Sequence, residues 1–366
     1  MSNLNNNRYC VIMAGGIGAR FWPMSKTATP KQFIDILGIG RTLLQMTFDR
    51  FNKICPEQNI YIVTNEIYRN LVLEQLPMIS TSQVLCEPMR RNTAPCIAYA
   101  NHVIKQKNRK AVIVVAPSDH VILKEAIFTQ EIEQAMNVAE THEWLITLGI
   151  KPSRPDTGYG YIQYLNGNVL NNVKQLKKVK QFTEKPDLER AEKFLQSGDF
   201  LWNAGIFIWS LESIDKDFKK HLPEVNDLFE KGTGKYGSPD EKTFIDKTYP
   251  VCPNISIDYG IMEKADNVYV MAVDFGWSDL GTWGSLFEIR SKDSYNNAIV
   301  GDNVMTYETK NCIVNVPKEK LVVVQGLDGY IVVEDSGTLL ICKKTDEQQI
   351  RQFVDDVKAQ KGDRYI

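Results

Sequence analysis

The chain has 366 residues, 43% hydrophobic and 24% charged, a length and balance suited to a large globular core with a smaller second unit. Its formal net charge of −2 argues against a general nucleic-acid or membrane-surface partner but leaves room for a local basic pocket. No apolar run approaches the roughly 20 residues of a membrane-spanning helix, and the polar start Ser2-Asn3-Leu4-Asn5-Asn6-Asn7-Arg8 has no apolar signal core, so a frayed N-terminus and a cytoplasmic location are expected.

Residues 9–13 form an apolar run that reads as a buried strand. It leads into Ala14-Gly15-Gly16-Ile17-Gly18-Ala19-Arg20-Phe21-Trp22-Pro23, closed by Pro30-Lys31-Gln32-Phe33. Glycines let a backbone bend tightly and approach a ligand with no Cβ in the way. The N–H groups of Gly15, Gly16 and Gly18 can form an anion nest, to which Arg20 and Lys31 add cations, so the loop points to phosphate; the plainer alternative is a tight strand-to-helix turn. Phe21 stands where a dinucleotide fingerprint needs its last glycine, and no Gly-Lys-Ser or Gly-Lys-Thr follows, which excludes the two commonest phosphate loops.

Leu43, Leu44, Thr47, Phe48 and Phe51 have helical spacing, and candidate strands follow at 60–64, 84–87, 111–116 and 145–148. Continuous apolar strands suit a sheet covered on both faces, so the layout expected is α/β and doubly wound, Rossmann-like, with ligands beyond the strands' carboxyl ends. Ser118 and Asp119 follow the most apolar strand. A carboxylate there can face bound phosphate only across a cation, which makes Asp119 a candidate Mg²⁺ ligand; the alternative is a helix N-cap. Beyond residue 150 the pattern is irregular. Glu184-Lys185 reads by itself as a surface charge pair, but Asn203 is an amide within an apolar strand and must find partners, a sugar hydroxyl being one. The stretch 231–239 reads as an exposed loop. Asp258 reads as an acid at a helix N-terminus, and Asp279, between Trp277 and Trp283, as an Asx-turn. Short strands at 322–324, 330–333 and 339–342 and a helix at 346–358 suggest a small β-rich C-terminal domain. The seven cysteines lack Cys-x-x-Cys spacing and read as buried thiols, and the four histidines show no ligand spacing.

The pattern Gly-Gly-x-Gly-x-Arg, Trp-Pro, Pro-Lys-Gln-Phe resembles the signature of sugar-nucleotide pyrophosphorylases, most closely that of the mannose-1-phosphate guanylyltransferase family. The resemblance implies a nucleotidyltransferase catalytic domain over 1–285, with a mixed sheet, and a β-helix-like domain over 286–366 that aids homodimer contacts. It implies Mg²⁺ held by Asp119 and Asp279. It implies nucleotide contacts from Ala14, Gly15, Gly16, Gly18, Glu87, Asn92 and Ser118, and catalytic cations at Arg20, Lys31 and Lys185. Sugar contacts would come from Gly158, Glu184, Asn203 and Asp258. Guanine presents N1–H and N2–H₂ donors together, which a carboxylate such as Glu87 matches; Asn92 or Thr93 reads alternatively as a helix cap. The implied partners are GTP and mannose 1-phosphate, giving GDP-mannose and pyrophosphate. Transfer of GMP to a manno-heptose or glucose phosphate, or a non-catalytic sugar-nucleotide-binding subunit, are the alternatives.

Overall fold

The computed structural model describes residues 5–16, 18–167 and 169–366; Ile17 of the glycine loop and the first residues of the polar N-terminus lie outside the described residues. By packing, the chain forms two compact units, one comprising residues 1–15, 47–118 and 122–277 and the other 16–46, 119–121 and 278–366.

The first unit is built on a nine-stranded sheet. Its strands are β1 (Arg8–Ala14), β2 (Ile60–Asn65), β3 (Val84–Glu87), β4 (Val112–Pro117), β5 (Leu145–Ile150), β6 (Gly160–Tyr164), β7 (Leu176–Glu184), β8 (Phe200–Ser210) and β9 (Val268–Val273). They lie in the order β3-β2-β1-β4-β8-β5-β9-β7-β6, with a further pairing of β8 to β6. β1, β2, β3 and β4 run parallel, and β8 runs antiparallel to both β4 and β5, so the sheet is mixed. The strands expected from apolar runs are all present, and the irregular stretch after residue 150 supplies four more to the same sheet.

Alternation explains the two covered faces. Val11, Val63 and Val115 point to one face and share a core cluster with the helix Thr93–Lys107, whose residues 94–104 are all buried. Cys10, Ile12, Ile62 and Val114 point to the other face and are buried as well. Because β1, β3 and β4 are parallel, Gly15, Glu87 and Ser118 leave the sheet at one end; Asn203 of β8 lies there too, opposite Gly149 near the end of β5. Within 231–239 the exposed loop is only partial. Tyr236 is buried, its hydroxyl donating to the Phe229 carbonyl while its ring packs beside Tyr99.

The second unit contains β10 (Ala298–Val300), β11 (Val304–Tyr307), β12 (Ile313–Asn315), β13 (Val322–Gln325), β14 (Tyr330–Asp335) and β15 (Thr338–Lys343). Ala298 pairs in parallel with Ile313 and Ile313 with Ile331, while Val304 pairs in parallel with Val322. Short parallel strands stacked without crossover helices make a β-helix-like coil, a winding that strand composition alone does not supply. Ile313 and Ile331 face a cluster with Phe21, Trp22, Trp283 and Ile350, whereas Val314 and Val332 face Val324 on the other side. The helix Ile350–Lys361 closes this cluster. All seven cysteines are free and buried, as expected.

A glycine packed between two neighbouring strands gives a direct test of this packing. A Cβ on Gly149 would meet Leu201 Cδ1 at 2.6 Å and Val270 Cγ2 at 2.7 Å, one on each neighbouring strand. Gly149→Ala is expected to cost about 1–3 kcal/mol through overpacking, read as a lower denaturant midpoint; an unchanged midpoint would show that this part of the sheet is looser than described.

Candidate functional site

The candidate residues fall into three groups, one in the second unit and two in the first. In the second unit the loop after β1 turns at Gly18, whose φ of 69° is left-handed and where a Cβ would sit 2.5 Å from Lys31 Cβ. Glycine is needed there both for the conformation and for the space. The Gly18 carbonyl accepts from Ser25 Oγ (2.6 Å) and the Gly16 carbonyl from Gln32 Nε2 (2.9 Å), so both ends of the loop are tied to the segment that carries Lys31. Gly16 is exposed, with nothing within 4 Å of where a Cβ would be. Arg20 lies on the short 3₁₀ turn Ala19–Phe21.

Lys31 is only 3% exposed. Its ammonium donates to the carbonyls of Asp279 and Leu280, each at 2.9 Å, and lies 2.8 Å from Asp119 Oδ2. An ammonium has three donors, and these three acceptors take them all. Burial by itself would raise the Asp119 pKa, but the Lys31 charge and then His120 hold the carboxyl below its usual range. The N-cap alternative for Asp119 does not occur, since the next helix, Glu125–Thr141, begins after Lys124. The Asx-turn at Asp279 does form: Oδ1 accepts from the Gly281 N–H (3.0 Å), and Leu280 adopts a φ of 44°. That turn exposes the two carbonyls that Lys31 caps.

Two groups belong to the first unit. At the end of β3, Glu87 is buried and accepts from the Tyr249 hydroxyl through Oε1 (3.0 Å). Burial pushes its pKa up to about 7, against the pull of Tyr249 and Arg90. Asn92, with a φ of 66°, caps the helix Thr93–Lys107 through Oδ1, so the cap alternative is realised. Ser118 is buried, its N–H donating to the Met13 carbonyl and its carbonyl accepting from Thr47. Ala14 ends β1, and its carbonyl accepts from Thr64.

The other group gathers on β6, β7 and β8. Glu184 pairs with Lys185 at 2.6 Å, and Lys185 has a φ of 46°. Asn203 Nδ2 donates to Asp258 Oδ1 (2.8 Å), while its Oδ1 accepts from Thr147 and the Gly205 N–H. Asp258 begins the π-helical turn Asp258–Met262. Burial and then the Glu184 charge push its pKa up to about 6, against Asn203 and Lys185. Gly158 gives its N–H to Asp156, whereas Gly160, two residues on, faces this group: a Cβ there would come 2.3 Å from Glu184 Oε2 and 3.4 Å from Asn203 Cβ. Gly160, Thr147 and Tyr249 were not singled out from the sequence. The pairing of Gly160 with Glu184 across β6 and β7 is a matter of register, for which one sequence offers no signal.

The donors suit a hard divalent cation. Asp119 and Asp279 supply carboxylate oxygens from segments that meet at Lys31, and among the described residues no cluster of three or more His, Cys, Asp or Glu forms an all-protein cage. Mg²⁺ commonly uses one or two carboxylates and takes its other ligands from water and phosphate.

The raised Asp258 pKa makes stability depend on pH. A carboxyl whose folded pKa lies above its unfolded value of about 4 destabilises the fold progressively as pH rises from about 4 to about 6. Asp258→Asn should therefore raise Tm at neutral pH and leave it unchanged below about pH 4. An equal offset at both would contradict the assignment.

A model of the nucleotidyl transferase family matches residues 9–296, and a model of the MannoseP isomerase/GMP-like beta-helix domain matches 302–357. The chain is 36% identical over 363 residues to mannose-1-phosphate guanylyltransferase of Escherichia coli (strain K12), covering 96% of this chain and 73% of that protein. It is 35% identical over 356 residues to the alginate biosynthesis protein AlgA of Pseudomonas fluorescens, covering 96% and 72%. A crystal structure named as mannose-1-phosphate geranyltransferase from Thermus thermophilus superposes with a TM-score of 0.84 at 27% identity, covering 96% of this chain and 99% of that one.

Proposed function

Because the chain belongs to the nucleotidyl transferase family, and within it to the mannose-1-phosphate guanylyltransferases, we propose that it transfers GMP from GTP to α-D-mannose 1-phosphate, giving GDP-mannose and pyrophosphate. The relatives support the choice of substrates. In the structure, the observation that carries the reading is the meeting of Asp119 and the Asp279 turn on one buried ammonium beside a glycine loop.

A sugar phosphate is already ionised near neutral pH, so it can attack the α-phosphorus without a general base. The protein's task is in-line positioning and neutralisation of crowded negative charge. The N–H groups of the glycine loop, with Arg20, would hold the β- and γ-phosphates as they depart. Lys185 would steer the attacking phosphate. Glu184, Asn203 and Asp258 would bind hexose hydroxyls, with Gly160 leaving room beside them; Glu87 would accept from guanine, and Asn92 and Ser118 would line the nucleotide. Lys31 enters indirectly, since its donors are committed to Asp119 and the 279–280 carbonyls. Members of this family generally use a divalent metal. Mg²⁺ is the ion proposed for Asp119 and Asp279, and when bound it would neutralise phosphate charge as a Lewis acid. The same proposal takes 1–285 as the nucleotidyltransferase domain and 286–366 as the β-rich domain, where the two family models cover 9–296 and 302–357. It includes the homodimer that the resemblance implies and the cytoplasmic location expected from the sequence.

Pyrophosphate release across a panel of nucleoside triphosphates and sugar 1-phosphates tests the reading. GTP with mannose 1-phosphate should be the preferred pair, and Asp279→Asn should lower its Mg²⁺-dependent turnover by a hundredfold or more, on the order of 3 kcal/mol of lost transition-state stabilisation. Preference for another pair would overturn the substrate assignment, and near-normal turnover in the variant would remove Asp279 from the site.

A further inference from the structure

The segment after β3 is bound to a distant turn by more contacts than a loop crossing requires. Tyr249 is fully buried, opens the 3₁₀ turn Tyr249–Val251, and stacks edge-on against Tyr99 and Phe229. Its hydroxyl donates to Glu87 Oε1 at 3.0 Å. From the other side, the Arg91 guanidinium fork donates to the carbonyls of Tyr249 (3.2 Å) and Pro250 (2.6 Å), fixing the backbone of the same turn. Two further ties follow in register: the Ala94 N–H donates to the Ile255 carbonyl, and the Ile257 N–H to Thr93 Oγ1. Glu87 Oε2 faces toward Gly15, where even an added Cβ would remain 3.9 Å away.

We propose that Tyr249, braced by Arg91, is a positioning residue that sets base specificity: it holds one oxygen of Glu87 so that the carboxylate stands as a fixed acceptor for the N1–H and N2–H₂ edge of guanine. The inference rests on the reading of Glu87 as the guanine partner. A buried carboxylate held by a single tyrosine hydroxyl keeps acceptor capacity in reserve, since a carboxylate has about four lone-pair sites. A ring locked among Tyr99 and Phe229 cannot follow the carboxylate if it swings, so the acceptor direction is set by the core rather than by the loop.

Protonation would end this acceptor role. Among the described residues, the titratable and charged groups that face Glu87 are Tyr249 on its turn, Arg90 after β3 and Cys96 on the helix Thr93–Lys107. Tyr249 and Arg90 favour the charged carboxylate, while burial opposes it and places its titration near pH 7. Affinity for GTP should therefore weaken as pH falls through neutrality, and removal of the Tyr249 hydroxyl should move that loss to higher pH.

The test compares GTP with ITP, which lacks the 2-amino group, in the native chain, Tyr249→Phe, Arg91→Lys and Glu87→Gln. Tyr249→Phe should raise KM for GTP on the order of tenfold, the scale of a hydrogen bond to a charged group. Turnover at saturating GTP should be preserved, preference for GTP over ITP should shrink, and the pH midpoint of KM should rise. Arg91→Lys, which leaves the buried ring untouched, should shift KM and preference in the same direction by less. Loss of preference in Glu87→Gln, with preference and pH midpoint unchanged in both Tyr249→Phe and Arg91→Lys, would overturn the positioning role while sparing the Glu87 reading. Full preference for GTP over ITP in Glu87→Gln would overturn that reading and the inference with it.

Discussion

Lys31 Nζ lies 2.8 Å from Asp119 Oδ2 and 2.9 Å from the carbonyls of both Asp279 and Leu280, so three segments distant in sequence share one buried charge. A buried cation is tolerated only when its donors are matched, and here the three acceptors match them. The glycine loop is fitted around the same side chain, because Gly18 has no Cβ to collide with Lys31 Cβ. The left-handed turn at Leu280 has a reason in the same contact, since it turns two successive carbonyls toward one ammonium. Removing the lysine would leave a carboxylate and two carbonyls without their common donor, which is how a single contact governs the geometry of the candidate phosphate machinery.

Two carboxylates of the first unit, Glu87 and Asp258, lie under the opposite influence. Glu87 and Asp258 are pushed up, to about 7 and about 6, chiefly by burial, whereas Asp119 is held down by Lys31 and His120 despite its burial. The contrast follows from partners: Glu87 and Asp258 meet a hydroxyl and an amide, and Asp119 meets an ammonium. Carboxylates that lean on neutral donors suit a base edge or sugar hydroxyls. A carboxylate kept charged suits a cation. One chain thereby separates carboxyl groups by environment into different kinds of binding work.

Much of this was legible in the sequence, and what was not has a physical reason. The apolar runs of β1 to β5 announced themselves because strands buried on both faces read as continuous hydrophobic stretches. The motifs marked Asp119, Glu184 and Asn203 as candidates, and the cap at Asn92 and the Asx-turn at Asp279 were local patterns that a short window can show. Register and long-range pairing were hidden. Gly160 rather than Gly158 adjoins Glu184 because β6 pairs with β7 in one alignment. Tyr249 reaches Glu87 from a turn far downstream in the chain, and the saturation of Lys31 likewise depends on a turn made by distant residues. Residue type announced a cation at Lys31; only packing shows what that cation holds.

The most direct test of this account is the thermal stability of Lys31→Met, which keeps a side chain of similar length without the charge. If Lys31 organises Asp119 and the Asp279–Leu280 turn, Tm should fall by an amount matching the roughly 3–5 kcal/mol lost when one partner of a buried ion pair is removed. An unchanged Tm would contradict the account and return Lys31 to a role at the substrate phosphates alone.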